Sequence, residues 1–110
     1  MIHKADQFDY IECMIKFYVY ILTNKSHAVL YTGFSDDVER RIYEHKNKVF
    51  KGFTSKYNVD KLVYYEEFND LESAKHRVSQ IKRYKRSWKE NLINEMNPEW
   101  RDLYEDFLLK

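Results

Sequence analysis

Five side chains in the first 45 residues have the types and spacings to act on an anion. Tyr18 and Tyr20 alternate about Val19, so in an extended strand both phenols leave the same face. Tyr31 follows Tyr20 with ten residues between them. Arg41 and His45 are four apart, which makes them neighbours on one face of a helix. A guanidinium can hold two phosphoryl oxygens in a fixed fork. A phenol can position or deprotonate a water if a nearby cation or metal lowers its pKa. An imidazole changes charge near neutral pH and can share proton transfer. Each residue also has a plainer reading. Tyrosines on paired strands often pack across them, Arg41 beside Arg40 would ordinarily be a solvated pair, and His45 suits a helix end as a simple cation. The shared face of Arg41 and His45 favours the chemical role for Arg41.

The wider charge pattern agrees with an anionic partner. The 110-residue chain has a net charge of +1, but residues 1–39 sum to −3, residues 40–89 to +8 and residues 90–110 to −4. Local field rather than total charge draws phosphates, so a basic middle between acidic ends suits a polyanion, or else is a set of solvated lysines. Lys46, Lys48, Lys51 and Lys56 are interleaved with Phe50, Phe53 and Tyr57. Cations on phosphates and rings on unstacked bases are the usual devices for single strands. Here the lysines are expected to bind, and Phe53 to cover the edge of the core. Residues 75–89 hold seven basic residues and no acid, and with Arg40 they add Arg77, Lys82, Arg83, Lys85 and Arg86 to the candidate nucleic-acid contacts.

The length suits one domain, because halves of this chain would be too small to bury a core unaided. Two glycines and one proline argue against a linker-rich or collagen-like chain. The lone Cys13 allows no intrachain disulfide and no cysteine-rich zinc site. No apolar run reaches membrane length and no apolar signal core is evident, so the expectation is a cytoplasmic protein with no membrane partner. Residues 1–13 read as an appendage, either disordered or an extra helical turn packing Phe8 and Ile11. Residues 14–110 read as the domain.

Elements that could position the five side chains follow from pattern. Phe17–Leu22 and Val29–Phe34 are β-branched and aromatic and predict a hairpin across the polar Thr23–His27 turn. Gly33 signals a bulge or a close backbone approach. Asp36 with Glu39 has the form of a capping box for a helix whose inner face carries Val38 and Ile42. Residues 46–58 predict a loop and Leu62–Glu66 a third strand. Asn69 or Asp70 caps a helix with the stripe Leu71, Ala74, Val78 and Ile81. A helix over Ser87–Met96 would turn Trp88, Leu92 and Ile93 inward and end at Asn97-Pro98. A last amphipathic helix is expected over Glu99–Leu108, with Trp100, Leu103, Tyr104 and Phe107 on one face. The sum is an α+β domain, order β-β-α-β-α-α-α, with a three-stranded antiparallel sheet flanked by helices.

The chain from about Phe17 to Leu103 resembles the GIY-YIG nuclease superfamily, and within it the small stand-alone bacterial domains of UPF0213 type. The resemblance rests on six pieces in order: Tyr18-Val19-Tyr20 with Tyr31-Thr32-Gly33, Arg41 with His45, Gly52–Tyr57, Leu62–Glu66, Gln80-Ile81-Lys82 and Asn97–Trp100. It implies hydrolysis of a DNA phosphodiester with one divalent ion, usually magnesium. It also implies that Tyr20, Tyr31, Arg41 and His45 are the catalytic candidates. Thr32, Tyr18 and Phe34 depart from the wider motif, where isoleucine, glycine and, in some relatives, lysine stand.

One departure is chemical. The metal-binding glutamate implied by the resemblance follows an arginine on the long helix. Here that arginine is Arg77, and the next residue is Val78, which cannot bind a metal. Three accounts stand side by side: the site has lost its ligand, another acid supplies it, or the register differs or the chain is an altered form. Glu72 is six residues from position 78, roughly 9 Å along a helix, so Glu66 at the strand end is the better substitute, though such an acid ordinarily pairs with a surface cation. The expected cofactor is therefore magnesium or another divalent ion if the site is active, and none otherwise. A binding module without catalysis on the same fold is the alternative function. A protein-interaction domain using Glu99, Asp102, Glu105 and Asp106 is a third.

Overall fold

The computed structural model describes residues 15–49 and 51–108. The expected appendage 1–13 and Phe50 lie outside the described residues. Strand β1 (Phe17–Thr23) is the centre of an antiparallel sheet, between β2 (Leu30–Ser35) and β3 (Lys61–Phe68). Between β2 and β3 come α1 (Val38–Lys46) and a single turn, α2 (Phe53–Lys56); after β3 come α3 (Leu71–Lys82), α4 (Arg86–Met96) and α5 (Tyr104–Leu108). The α+β class and the three-stranded antiparallel sheet are as expected.

Alternation along β1 divides the core. Val19 and Ile21 face α3 and α4, where they pack with Val63, Ala74, Val78, Ile81 and Ile93. Tyr20 and Leu22 face the other way and pack with Val38, Ile42, Val59, Leu62, Leu103 and Phe107. Burial of two sheet faces lets one short sheet support two apolar clusters, each large side chain contributing about 1.5–3 kcal/mol of transfer energy. The register sets Tyr20 opposite Gly33 and Leu22 opposite Tyr31. Both tyrosines therefore join the α1 side of the sheet.

Several local expectations are corrected. The cap of α1 is Asp37, whose carboxylate accepts from the Arg40 amide, while Ser35 Oγ accepts from the Asp37 amide. Asp36 thus lies one residue outside the cap. The 46–58 loop contains α2, which Gly52 opens at φ 127°; only glycine occupies that region cheaply. Leu71 and Trp88 are exposed rather than inward. Trp88 instead packs edge-on to Tyr84 beneath Lys85. The final helix begins at Tyr104, five residues later than expected. Trp100 takes a left-handed φ of 54°, and Asn97 binds the Arg101 backbone, so no helix forms there. Asp70 caps α3 as expected, accepting from the Ser73 amide.

The C-terminal segment closes the free side of β3. The Leu103 amide donates to Leu62 O at 2.7 Å, and the Leu62 amide donates to Asp102 Oδ1 at 3.2 Å. Asp102 also receives Lys46 Nζ at 2.6 Å, and Asp106 sits 3.7 Å from Arg101. Two of the four acids considered for a partner surface are thus engaged within the chain.

Candidate functional site

The four catalytic candidates converge. Tyr20, Tyr31, Arg41 and His45 line one cleft of about 400 Å3, together with Gly33, Phe34, Lys51, Phe53, Thr54 and Lys82. β1 and β2 supply the tyrosines. One face of α1 supplies Arg41 and His45, held toward the sheet by buried Val38 and Ile42. Tyr31 and His45 lie with ring centroids 5.9 Å apart.

Tyr20 is only 2% exposed, and its ring crosses directly over Gly33. A Cβ at position 33 would stand 2.8 Å from the Tyr20 hydroxyl oxygen and 2.9 Å from Cζ. The close approach anticipated from the glycine is therefore real, and its occupant is the phenol itself. A Gly33→Ala substitution is expected to tilt that buried ring and cost about 1–3 kcal/mol, the usual penalty for overpacking. Thermal unfolding together with the Tyr20 ring resonances checks this; unchanged ring shifts would contradict it.

Burial pushes the Tyr20 phenol well above its ordinary pKa, and neighbouring Tyr31 adds to this, while Arg41 opposes it. The phenol is therefore a proton donor at neutral pH. His45 moves the other way. Burial holds its pKa below 6.5 and Arg41 lowers it further, against Glu44 and Asp60. Its Nδ1 is 3.1 Å from Thr54 Oγ1, and Thr54 carried no signal in the sequence beyond its place in the Gly52–Tyr57 run. Because the unfolded imidazole takes up a proton more readily, stability is expected to fall as pH drops through about 6.5. His27, beside Lys61, shifts in the same direction. His45→Gln should thus flatten part of the profile of urea midpoint against pH; an unaltered slope between pH about 7 and about 5 would count against it.

The basic candidates separate into two groups. Lys51 and Lys82 line the cleft. Lys46, Arg77 and Arg86 are turned onto protein partners: Lys46 onto Asp102 and Asp60 O, Arg77 onto Glu66, Gln80 and Tyr84, and Arg86 onto the carbonyls of His27 and Ala28. Lys48 donates to Asn58 and Arg40 lies near Asp37. Lys56 lies over Tyr57 and Lys85 over Trp88. Arg83 is exposed at the end of α3. Phe53, expected to cover the core, is instead 52% exposed at the cleft, and lies tilted against exposed Tyr57 with centroids 5.1 Å apart. Tyr18 is not among the cleft-lining residues: it donates to Glu67 and packs edge-on to Phe107, and burial with the Glu67 bond pushes its pKa up to about 12.

A divalent ion does not fit the residues present. Magnesium takes hard oxygen ligands, ordinarily including a carboxylate, and the cleft lining contains none. Among the described residues no cluster of three His, Cys, Asp or Glu side chains is placed to hold a metal. Val78 is buried in the apolar cluster under α3. Glu66 does not line the cleft; Tyr64 and Arg77 both donate to its Oε2.

Comparison with known proteins places this architecture. Residues 16–91 match the family model described as the GIY-YIG catalytic domain. A UPF0213 protein of Staphylococcus saprophyticus is 38% identical over 82 residues, covering 74% of this chain and 99% of the relative. A UPF0213 protein of Clostridium perfringens is 39% identical over 77 residues, covering 70% and 82%. The solution NMR structure of a UPF0213 protein from Bacillus halodurans superimposes with a TM-score of 0.52 at 30% identity, covering 80% of this chain and 93% of that one. Among the described residues no helix is long and apolar enough to cross a membrane.

Proposed function

This chain belongs to the GIY-YIG catalytic domain family, and on that footing we propose that its cleft receives a DNA phosphodiester. The carrying observation is that Tyr20, Tyr31, Arg41 and His45, scattered over 26 residues of sequence, meet Lys51 and Lys82 in one cleft. In this reading Arg41 grips phosphoryl oxygens through its planar fork. The protonated Tyr20 donates to an oxygen as charge builds there. Neutral His45, oriented by Thr54, is able to exchange a proton near the attacking water or the leaving oxygen. In this reading the endonuclease chemistry is impaired, because Val78 stands where the resemblance implies a metal-binding acid and the cleft lining offers no other carboxylate.

A binding module without catalysis is the second reading, and the donor set of the cleft favours it: cations and hydroxyls are present, carboxylates are not. The two readings separate on nicking of plasmid or branched DNA in magnesium. Slow cutting supports an impaired nuclease, whereas salt-sensitive binding without cutting supports the module. In both, Arg41→Ala is expected to weaken DNA binding about 10-fold, corresponding to a charge-assisted hydrogen bond of about 1.5 kcal/mol. Fluorescence anisotropy at fixed salt measures it. Binding of DNA by the Arg41→Ala variant at full strength would remove the cleft from the interface.

A further inference from the structure

We infer that the cleft holds its phosphodiester by direct contact with Arg41, Lys51 and Lys82, and that this binding requires no divalent cation. The inference rests on the reading that the ligand is a nucleic acid, and it adds how that ligand is held. The three cations come from separate elements: Arg41 from α1, Lys51 from the segment before α2, and Lys82 from the last turn of α3. A lysine at a helix C-terminus is favoured by the helix dipole, which helps keep Lys82 in place.

The electrostatics discriminate between anion and metal. No acidic side chain is among the cleft-lining residues; the acid beside them, Glu44, stands 3.9 Å from the Arg41 guanidinium. Charges a few ångströms apart interact more strongly at a protein surface than in bulk water, because the effective dielectric is lower. A phosphate oxygen gains that attraction from each neighbouring cation, and a doubly charged metal ion meets twice that repulsion. Of the other polar groups in the lining, the Tyr20 and Tyr31 phenols are able to donate to phosphate oxygens, while Thr54 and His45 lie against each other. Lys82 lies four residues beyond Val78 on the same face of α3. The helix that would present a metal-binding acid therefore presents an ammonium to the cleft one turn later. A volume of about 400 Å3 is at the lower end of ligand-pocket sizes and suits one nucleotide unit.

The test is anisotropy of a short fluorescein-labelled DNA oligonucleotide with the full chain, in EDTA and in magnesium at matched ionic strength. The expected dissociation constants agree within about 2-fold. Lys82→Ala is expected to weaken binding about 5- to 10-fold in EDTA and to lower the salt slope by about one. Lys75→Ala, at an exposed position of the same helix, should leave both unchanged. Both lysines are exposed, so circular dichroism should report folded variants. Binding that improves more than about 10-fold on adding magnesium, or a Lys82→Ala variant that behaves like Lys75→Ala, overturns this inference alone. Absence of oligonucleotide binding in both buffers overturns the nucleic-acid reading beneath it as well.

Discussion

A Val78→Glu variant is expected to nick DNA in magnesium at least about 100-fold faster than the unaltered chain, since even outer-shell changes around a metal cost 10- to 100-fold. Position 78 is buried on the sheet-facing side of α3, one turn before the lysine that enters the cleft. A carboxylate there would give magnesium the hard ligand that the cleft lacks, and nearby cations would help to keep it ionised. Its entry into an apolar cluster should also cost about 3 kcal/mol without a partner. The variant should therefore unfold at a lower temperature in EDTA and recover part of the loss in magnesium, because a metal that binds only the folded state stabilises it. If the variant folds, yet magnesium alters neither its melting nor its cutting, position 78 does not serve the cleft.

The second large effect concerns stability. Asn97 is buried at the end of α4, where its amide donates to Val63 O at 3.2 Å and to Arg101 O at 2.8 Å. Its carbonyl accepts from the Arg101 amide at 3.2 Å. One side chain thus ties β3 to the segment that delivers Leu103 and Phe107 to the sheet. Asn97→Ala is expected to cost about 2–4 kcal/mol, since removing one partner leaves buried groups unsatisfied at about 1–3 kcal/mol each. For a domain of this size that lowers the melting temperature by roughly 10 °C or more. Asn97→Asp should be at least as harmful, because a carboxylate would face two carbonyl oxygens. A loss below about 1 kcal/mol in both variants would show that the bridge contributes little.

Much of the cleft was legible because its spacings are local. The alternation of Tyr18 and Tyr20 and the four-residue step from Arg41 to His45 translate directly into faces. The meeting of those faces was available only through resemblance, since no spacing relates β1 to α1. Asp70 was legible as a cap because its side chain acts three residues away. The fates of Lys46, Arg77 and Arg86 were not, because a cation that pins a distant carbonyl or carboxylate looks in sequence like one that waits for a phosphate. The helical turn at Phe53–Lys56 has no apolar period, and its opening glycine conformation is a three-dimensional fact. The late start of α5 depends on Asn97 capturing the backbone four residues on, which outweighs the amphipathic pattern from Glu99.

The clasp on the hairpin tip bears on how the protein is born. Arg86 donates to the carbonyls of His27 and Ala28 across 59 and 58 residues, and Trp100 stacks on His27 with centroids 4.8 Å apart. A ribosome emits the two phenols well before their fasteners, which lie dozens of residues further along the chain. The ribbon bearing Tyr20 and Tyr31 therefore emerges without its latch, and its tip is fastened only after Arg86 and Trp100 have followed it.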